Sequence, residues 1–381
     1  MDRWIDHSEL ARVTGMVVPA YFSDRPTDDM VRHLLWVTLG DCAAYLPLSN
    51  IWVVVDGDPR TARVLEEVRG RLWRDHGCTF RTTAVPENHG KLWALKEGIT
   101  ALLEANPSVG YVVIRDGDGD HAVADMPSLV RAAMLLSEAR PDALGEDGSR
   151  LIVIGSRRSR HRPMGWVRGE LEALLDQVTL DALAYRLARE GRALDLSHCA
   201  WRERVPDLSS GYKVYGRQCA LELFVRHQPR YVSLSEHDYW RYGPETVTII
   251  EGLLQGAIIA EVPRFTWDGQ PTTSFGEYRH ISLYGELLAW VYARLEIPLG
   301  VAAQLYDNYA ANMALKATSE GGETLVALRH YALEKVRAYR GEGGDIPPPG
   351  QWCLSCEHLH RSYAATIVAG KGGATLCLFP G

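Results

Sequence analysis

A chain of 381 residues, 46% hydrophobic and 23% charged, has the balance of a soluble globular protein with a sizeable core, and its length suits two domains or one large α/β domain with an appendage. A formal net charge of −7 argues against nucleic acid as a partner, and no apolar run is long enough to form an integral membrane segment. The opening MDRWIDHSELARV has no signal-peptide core, and seven scattered cysteines read as reduced thiols rather than a disulfide framework, so a cytoplasmic location is expected.

Elements alternate along the first third of the chain. TGMVVPAYF (14–22) reads as a buried strand closed by Pro19, and residues 27–46 carry an acidic start and helically spaced apolar side chains. NIWVVVDGDP (50–59) is a second strand and 60–77 an amphipathic helix. A third strand follows at 79–88, a helix at 90–107, and a fourth strand at 110–120. Four such repeats predict a parallel sheet with helical crossovers, whose ligands bind beyond the carboxyl ends of the strands. Asp56, Asp58, Asp116 and Asp118 all fall at such ends, and one pocket is expected to gather them.

Beyond this, 125–139 reads as helix, 150–157 as strand and 168–190 as a long helix. The stretches 207–217 and 256–265 read as loop-and-strand elements, with a helix at 244–256 between them. From about 277 the character changes. Ile281, Tyr284, Leu288, Val291, Tyr292 and Leu295 share one helical face, and helical sequence runs to about 340 before the turn cluster GEGGDIPPPG (341–350).

The stretch YVVIRDGDGDH (111–121) carries the chemistry. An apolar strand runs into Asp116, Asp118 and Asp120 with only glycine between them. Asp116 and Asp118 form a D-x-D (DXD) motif suited to Mg²⁺ or Mn²⁺, since hard divalent ions take carboxylate and phosphate oxygens and keep several waters. The alternative is an Asp-Gly turn in which aspartate bonds its own backbone.

Several blocks, in order, resemble family 2 glycosyltransferases: VVPAYFSD, VVVDGDPRT, ENHGKLWALKEGI, YVVIRDGDGDHAVADMPSLV, GSRRSRHRPMGWVRGE, DLSSGYKVYGR and YGPETVTIIEGLLQGAIIAEVP. The later ones are similar to the dolichol-phosphate-mannose-synthase-like branch. The resemblance spans roughly 13–268 and implies an α/β, GT-A (Rossmann-like) nucleotide-diphospho-sugar transferase fold. A catalytic domain is expected over 12–275 and a helical C-terminal region over 276–381. The implied activity is metal-dependent transfer of a hexose from a UDP- or GDP-linked donor to a small or lipid-linked acceptor, an anionic one by the arginines below.

By the same resemblance, Pro19, Ala20 and Tyr21 line the nucleotide pocket and Asp56 receives the base. Asp116 and Gly117 lie at the donor, Asp116 and Asp118 hold the metal, and Lys91 lies near the diphosphate or sugar. Glu245 sits on the acceptor side. With Asp238 and Asp207 it is a candidate for the carboxylate base that an inverting transfer uses; its alternative is to stabilise a helix N-terminus. His280 is a candidate third metal ligand. Arg157, Arg158 and Arg168, within a run of five arginines between 157 and 168, are candidates for an acceptor phosphate or carboxylate, with Ser210 and Gly211 beside them. The alternative for that run is a solvated loop.

The chain departs from the branch at PTTSFGEYRH, where Ser274 precedes Phe275 instead of lysine, which weakens a lipid-phosphate acceptor. Cys353, Cys356, His358 and His360 are zinc ligand types crowded into eight residues without a second pair, a poor match to a structural zinc site. AGKGGATLCLFPG lacks the context of a phosphate loop. Two rivals stand beside the transferase: a sugar-phosphate nucleotidyltransferase, disfavoured because PAYFSDRPTDD has no glycine and is acidic, and a catalytically silent nucleotide-sugar-binding protein. For the C-terminal helices three roles stand open: a homodimer interface, contact with a membrane surface, or a cap on the acceptor site.

Overall fold

The computed structural model describes residues 5–22, 26–161, 165–199, 205–265 and 280–349. Arg162, Ser274, Cys353, Cys356, His358, His360 and the glycine-rich tail lie outside the described residues. The chain forms two compact units: Met1–Ala173, Leu196–Tyr231 and Ser235–Arg279 make the first, and Leu174–Asp195, Val232–Leu234 and His280–Gly381 the second. Residues 174–195, within the span expected for the catalytic domain, therefore group with the C-terminal helices. No helix among the described residues is long and apolar enough to cross a membrane.

The first unit is a mixed α/β structure on a seven-stranded sheet. Its strands are β1 (Thr14–Ala20), β2 (Ile51–Asp56), β3 (Arg81–Val85), β4 (Tyr111–Ile114), β7 (Leu151–Arg157), β8 (Lys213–Gly216) and β9 (Ile258–Arg264), in the order β3-β2-β1-β4-β8-β7-β9. β5 (Leu144–Gly145) and β6 (Gly148–Ser149) form a separate small ribbon. The first four strands are parallel, as the alternation predicts. β8 runs antiparallel to both β4 and β7, and β7 is parallel to β9. Covered on both faces, β1 and β2 are near-continuous apolar runs.

Pro19 does not close β1 but lies within it, opposite Val54. Val17 O accepts from Arg115 N, so odd-numbered residues of β1 face β4, and β4 pairs only as far as Val17. Pro19 thus stands where that side of the strand has lost its neighbour, and its missing N–H breaks no ladder.

The helices follow from their caps. α1 is His7–Val13. α2 (Asp28–Leu39) starts at Thr27, whose hydroxyl accepts from Met30 N, and it ends before the predicted 46; short 3₁₀ turns at Cys42–Ala44 and Leu48–Asn50 take up the rest. α3 (Pro59–His76) has Pro59 in its first turn and Gly77 in the left-handed conformation at its end. Its N-cap is Asp58, which accepts from the Arg60 and Thr61 amides, each at 3.1 Å. Asp58 is therefore spent on a helix start, not on the pocket expected to gather four aspartates.

α4 (Lys91–Ala105) and α5 (Met126–Ala139) pack on the sheet, and α6 (Trp166–Arg189) begins in the first unit and ends in the second. α7 (Glu236–Leu254) begins well before the predicted 244, because Ser235 caps it by accepting from Asp238 N; Pro244 is carried inside the helix.

In the second unit α8 (His280–Arg294) packs against α10 (Ser319–Arg340), with α9 (Leu299–Ala310) between them in sequence. α8 is buried on every side from Leu283 to Ala293, not along the single stripe predicted, and Ile281 is only half-buried. Asp307 and Arg329 form a buried two-pronged ion pair at 2.6 and 2.8 Å.

Candidate functional site

In the order β3-β2-β1-β4 the chain winds outward from β1 on one side, then crosses to place β4 on the other. Open α/β sheets bind ligands where the order reverses, outside the carboxyl ends of the strands. Here that point lies between β1 and β4, whose ends carry Pro19, Ala20 and Tyr21 on one side and Asp116, Gly117 and Asp118 on the other. The two loops touch: a Cβ added to Gly117 would come 3.0 Å from Pro19 O. Tyr21 is 44% exposed, leaving its ring at the surface of this cleft, while Ala20 is buried.

Two buried side chains shape the Asp116 loop. The Arg115 guanidinium donates to the carbonyls of His121 and of Thr38 in α2, tying the loop's far end to that helix. His121 Nδ1 accepts from the Asp116 amide at 3.0 Å, so its proton sits on Nε2, which lies 3.9 Å from Asp120 Oδ2. Its ring stacks on Tyr212 at 4.7 Å, and burial with neighbouring Arg264 holds its pKa well below the usual value, so it stays neutral. Arg264, also buried, reaches Asp120 at 3.6 Å.

Lys91, the first residue of α4, links three elements. Its Nζ lies 2.9 Å from Asp116 Oδ1, 3.0 Å from Asp116 Oδ2 and 2.8 Å from Glu245 Oε1 in α7. Burial opposes its charge, but the two carboxylates outweigh that and raise its pKa far above the ordinary value. Asp118 is pushed up to about 7, first by burial and then by repulsion from Asp116 and Asp120. Gly211 closes the group from below: a Cβ there would stand 2.9 Å from Asp116 Oδ2 and 3.2 Å from Lys91 Nζ.

Asp56, at the end of β2, is buried. Its carboxylate accepts from His89 N at 2.9 Å and Gly90 N at 2.7 Å, just ahead of Lys91. Gly90 takes φ 113°, and a Cβ on it would meet Trp240 O at 2.6 Å, so only glycine lets α4 start this close to α7. His89 stacks on Trp93 with ring centroids 4.3 Å apart.

The arginine run divides. Arg157 is buried and gives its fork to Asp207 at 2.8 and 2.6 Å, with Glu172 at 2.8 Å. Asp207 also takes the Arg157 amide at 2.9 Å. Burial would raise its pKa, but Arg157 outweighs that and holds it well below the carboxylate range. A carboxylate bound this way is no base, so Asp207 leaves the list of candidates. Arg168 pairs with Glu172 at 3.0 Å, and Arg158 is exposed, with its guanidinium over Phe265. Ser210 donates to Gly155 O at 2.7 Å, fixing the turn that presents Gly211.

Asp238 contacts Ser235 and His237 at the start of α7, where it completes the cap. His280 opens α8 in the second unit, its ring 6.4 Å from that of Tyr284. Among the described residues no group of three or more His, Cys, Asp or Glu side chains is gathered to hold a metal ion, so Asp116 and Asp118 stand as a pair.

Sequence reading singled out neither Arg115, Arg264 and Tyr212 nor the packing role of His121. A buried arginine has no local signature; only a position just after an apolar strand, for Arg115, or at the end of one, for Arg264, hinted at them.

A divalent ion suits the pair that remains. Asp116 Oδ1 is shut off from solvent and accepts no hydrogen bond, meeting Lys91 only as an ion contact. Two carboxylates completed by water and phosphate oxygens are a usual setting for Mg²⁺ and similar hard ions.

No protein-family profile and no curated protein matches this sequence. Among solved structures, the chain is similar to the mannosyltransferase PcManGT from Pyrobaculum calidifontis, in complex with GDP-Man and Mn²⁺. Identity is 16%, the TM-score 0.39, and coverage 93% of this chain and 86% of the other. It is also similar to S. aureus TarS 1–349, in complex with UDP, at 11% identity and a TM-score of 0.37, over 87% of this chain and 92% of that one.

Proposed function

We propose that the protein is a glycosyltransferase of the GT-A type that moves a hexose from a UDP- or GDP-linked donor to an anionic acceptor with the help of Mg²⁺ or Mn²⁺. The observation that carries this reading is the convergence of Asp116, Lys91 and Glu245 at the reversal point of the parallel strands, beside the β1 loop. The resemblance of seven sequence blocks to family 2 glycosyltransferases supports it.

In this reading the nucleotide lies along the ends of β1 and β2, over Tyr21 and beside Asp56. Asp116 and Asp118 would hold the metal, which when bound neutralises charge on the departing diphosphate as a Lewis acid. Lys91 adds a positive charge on the same side, where negative charge grows during the reaction. Glu245, paired with Lys91 at 2.8 Å, faces the acceptor and takes the proton of its attacking hydroxyl. Asp238 is the weaker candidate for that role, since it serves as a cap. Of the three candidate arginines, Arg157, Arg158 and Arg168, all among the described residues, Arg158 is the exposed one and is left for the acceptor; Arg157 and Arg168 hold the wall behind it.

The test is thermal melting against UDP, GDP and their sugar conjugates, with and without Mn²⁺, since a ligand bound only by the native state raises Tm. A metal-dependent rise for one nucleotide supports the reading and names the base of the donor. Flat curves for all would overturn it. Turnover of the conjugate separates an enzyme from a silent binding protein.

A further inference from the structure

We propose that Lys91 is a resident counter-ion which competes with the divalent cation for Asp116, so that the metal enters only once a diphosphate draws the ammonium away. The inference rests on the donor-and-metal reading above and adds an order to it.

The geometry places one cation on both oxygens of Asp116. Nζ stands 2.9 Å from Oδ1 and 3.0 Å from Oδ2. Oδ1 is closed to solvent and accepts no hydrogen bond, so a metal seeking that oxygen must meet the ammonium there. The backbone of Lys91 cannot withdraw. Gly90 is wedged against Trp240 O, and Asp56 grips the His89 and Gly90 amides, so the helix start is fixed and only the side chain can move.

It has somewhere to go. Glu245 Oε1, 2.8 Å away, already shares the ammonium and keeps hold of it when Asp116 is taken. The oxygens of a diphosphate offer a further set of acceptors for its three donors. Gly211, whose added Cβ would stand 3.2 Å from Nζ and 2.9 Å from Asp116 Oδ2, keeps a side chain from crowding the ammonium on that side. Two ligands linked through one residue must help each other equally: whatever factor the nucleotide adds to metal affinity, the metal adds to nucleotide affinity.

The test is direct binding of Mn²⁺, followed by electron paramagnetic resonance of the free ion, alone and with saturating UDP or GDP. The proteins are wild type, Lys91→Met and Lys96→Met. Lys96 lies on the same helix over the Trp240 ring, and its variant controls for the loss of one charge. Wild type is expected to bind Mn²⁺ weakly alone and about tenfold or more tighter with nucleotide, within the usual range for coupled sites. Lys91→Met is expected to bind Mn²⁺ alone about tenfold tighter than wild type, with the nucleotide adding much less. Lys96→Met should behave as wild type. If Lys91→Met melts too low to assay, Lys91→Gln, which keeps a polar end between the two carboxylates, carries the same expectation.

Equal Mn²⁺ affinity for wild type and Lys91→Met alone, with nucleotide strengthening both alike, overturns the competition while the metal reading stands. Equal gains in Lys91→Met and Lys96→Met overturn it too, as a general charge effect. No Mn²⁺ bound by any of the proteins, with either nucleotide, overturns the metal reading and the inference with it.

Discussion

Asp56 Oδ2 accepts the amide of Gly90 at 2.7 Å, joining the end of β2 to the start of α4 across 34 positions of sequence. The residue expected to read the base of the donor is also the one that sets where Lys91 begins its reach toward Asp116. One carboxylate thus couples the end of the cleft proposed for the nucleotide to its charged end.

Asp56→Asn separates these two tasks. An amide in place of the carboxylate turns a donor toward the His89 or Gly90 N–H, leaving a buried group unpaired at a cost of about 1–3 kcal/mol. Urea unfolding should show that loss, with weaker nucleotide binding beside it. A variant of native stability that binds nucleotide less well would mean that the carboxylate serves the base alone.

Asp118 makes stability depend on pH. Its folded pKa, about 7, lies above the ordinary 3.8, so below 3.8 the group is protonated in both states and costs nothing. As pH rises from there to 7, only the unfolded chain ionises freely, and the native state loses stability until the pH passes the folded pKa. Asp118→Asn removes that cost. Its Tm should exceed that of the wild type by roughly 2 °C or more at pH 8, and by clearly less at pH 5. An equal difference at the two pH values would mean that Asp118 is not a crowded, buried acid.

Much of this was legible before the structure. The apolar runs of β1, β2 and β4 show where parallel strands lie, and the carboxylates after them mark the edge where the candidate site is assembled. What stayed hidden is what each polar group spends itself on. Asp58 and Asp56 look alike in VVVDGDPRT, yet the proline after Asp58 makes it a helix cap while Asp56 faces a loop 33 residues away. Arg157 and Arg158 are neighbours in sequence, yet the alternation of a strand end buries one beside Asp207 and exposes the other. Such assignments depend on partners about 30 to 50 residues off, and no local pattern carries them.

The Arg157–Asp207 pair is a wall, not a reagent. Asp207→Asn leaves the buried guanidinium with Glu172 as its remaining carboxylate, and breaking a buried pair in this way costs up to about 3–5 kcal/mol. Because the pKa of Asp207 is depressed, its contribution is complete above the ordinary carboxylate value of 3.8 and fades only as pH falls below it. The loss measured by urea unfolding should therefore be the same at pH 5 and pH 8. A variant with native stability and no turnover would return Asp207 to the list of bases.

Glu245→Gln keeps an acceptor for Lys91 but cannot take a proton. Turnover with saturating donor should fall by about 10²–10⁴, the usual worth of a general base, while nucleotide affinity stays near that of the wild type. If the acceptor attacks through a group already ionised, turnover will barely change, and Glu245 serves only to hold Lys91.

Gly211→Ala asks how much room the charged group needs. The added methyl would stand 2.9 Å from Asp116 Oδ2 and 3.2 Å from Lys91 Nζ, closer than such contacts tolerate, while Gly211 does not require a positive φ. The strain therefore falls on two side chains and not on the backbone, and the fold should survive with its melting temperature nearly intact. Moving a reacting group by about 1 Å costs on the order of 10²-fold in rate, so turnover should drop by that order. Mn²⁺ binding with nucleotide should weaken alongside it, because the methyl presses on the Asp116 carboxylate and on the ammonium that must leave it. A variant with wild-type turnover and metal affinity would show that Asp116 and Lys91 make way for the methyl without cost, and that the floor of the site lies elsewhere.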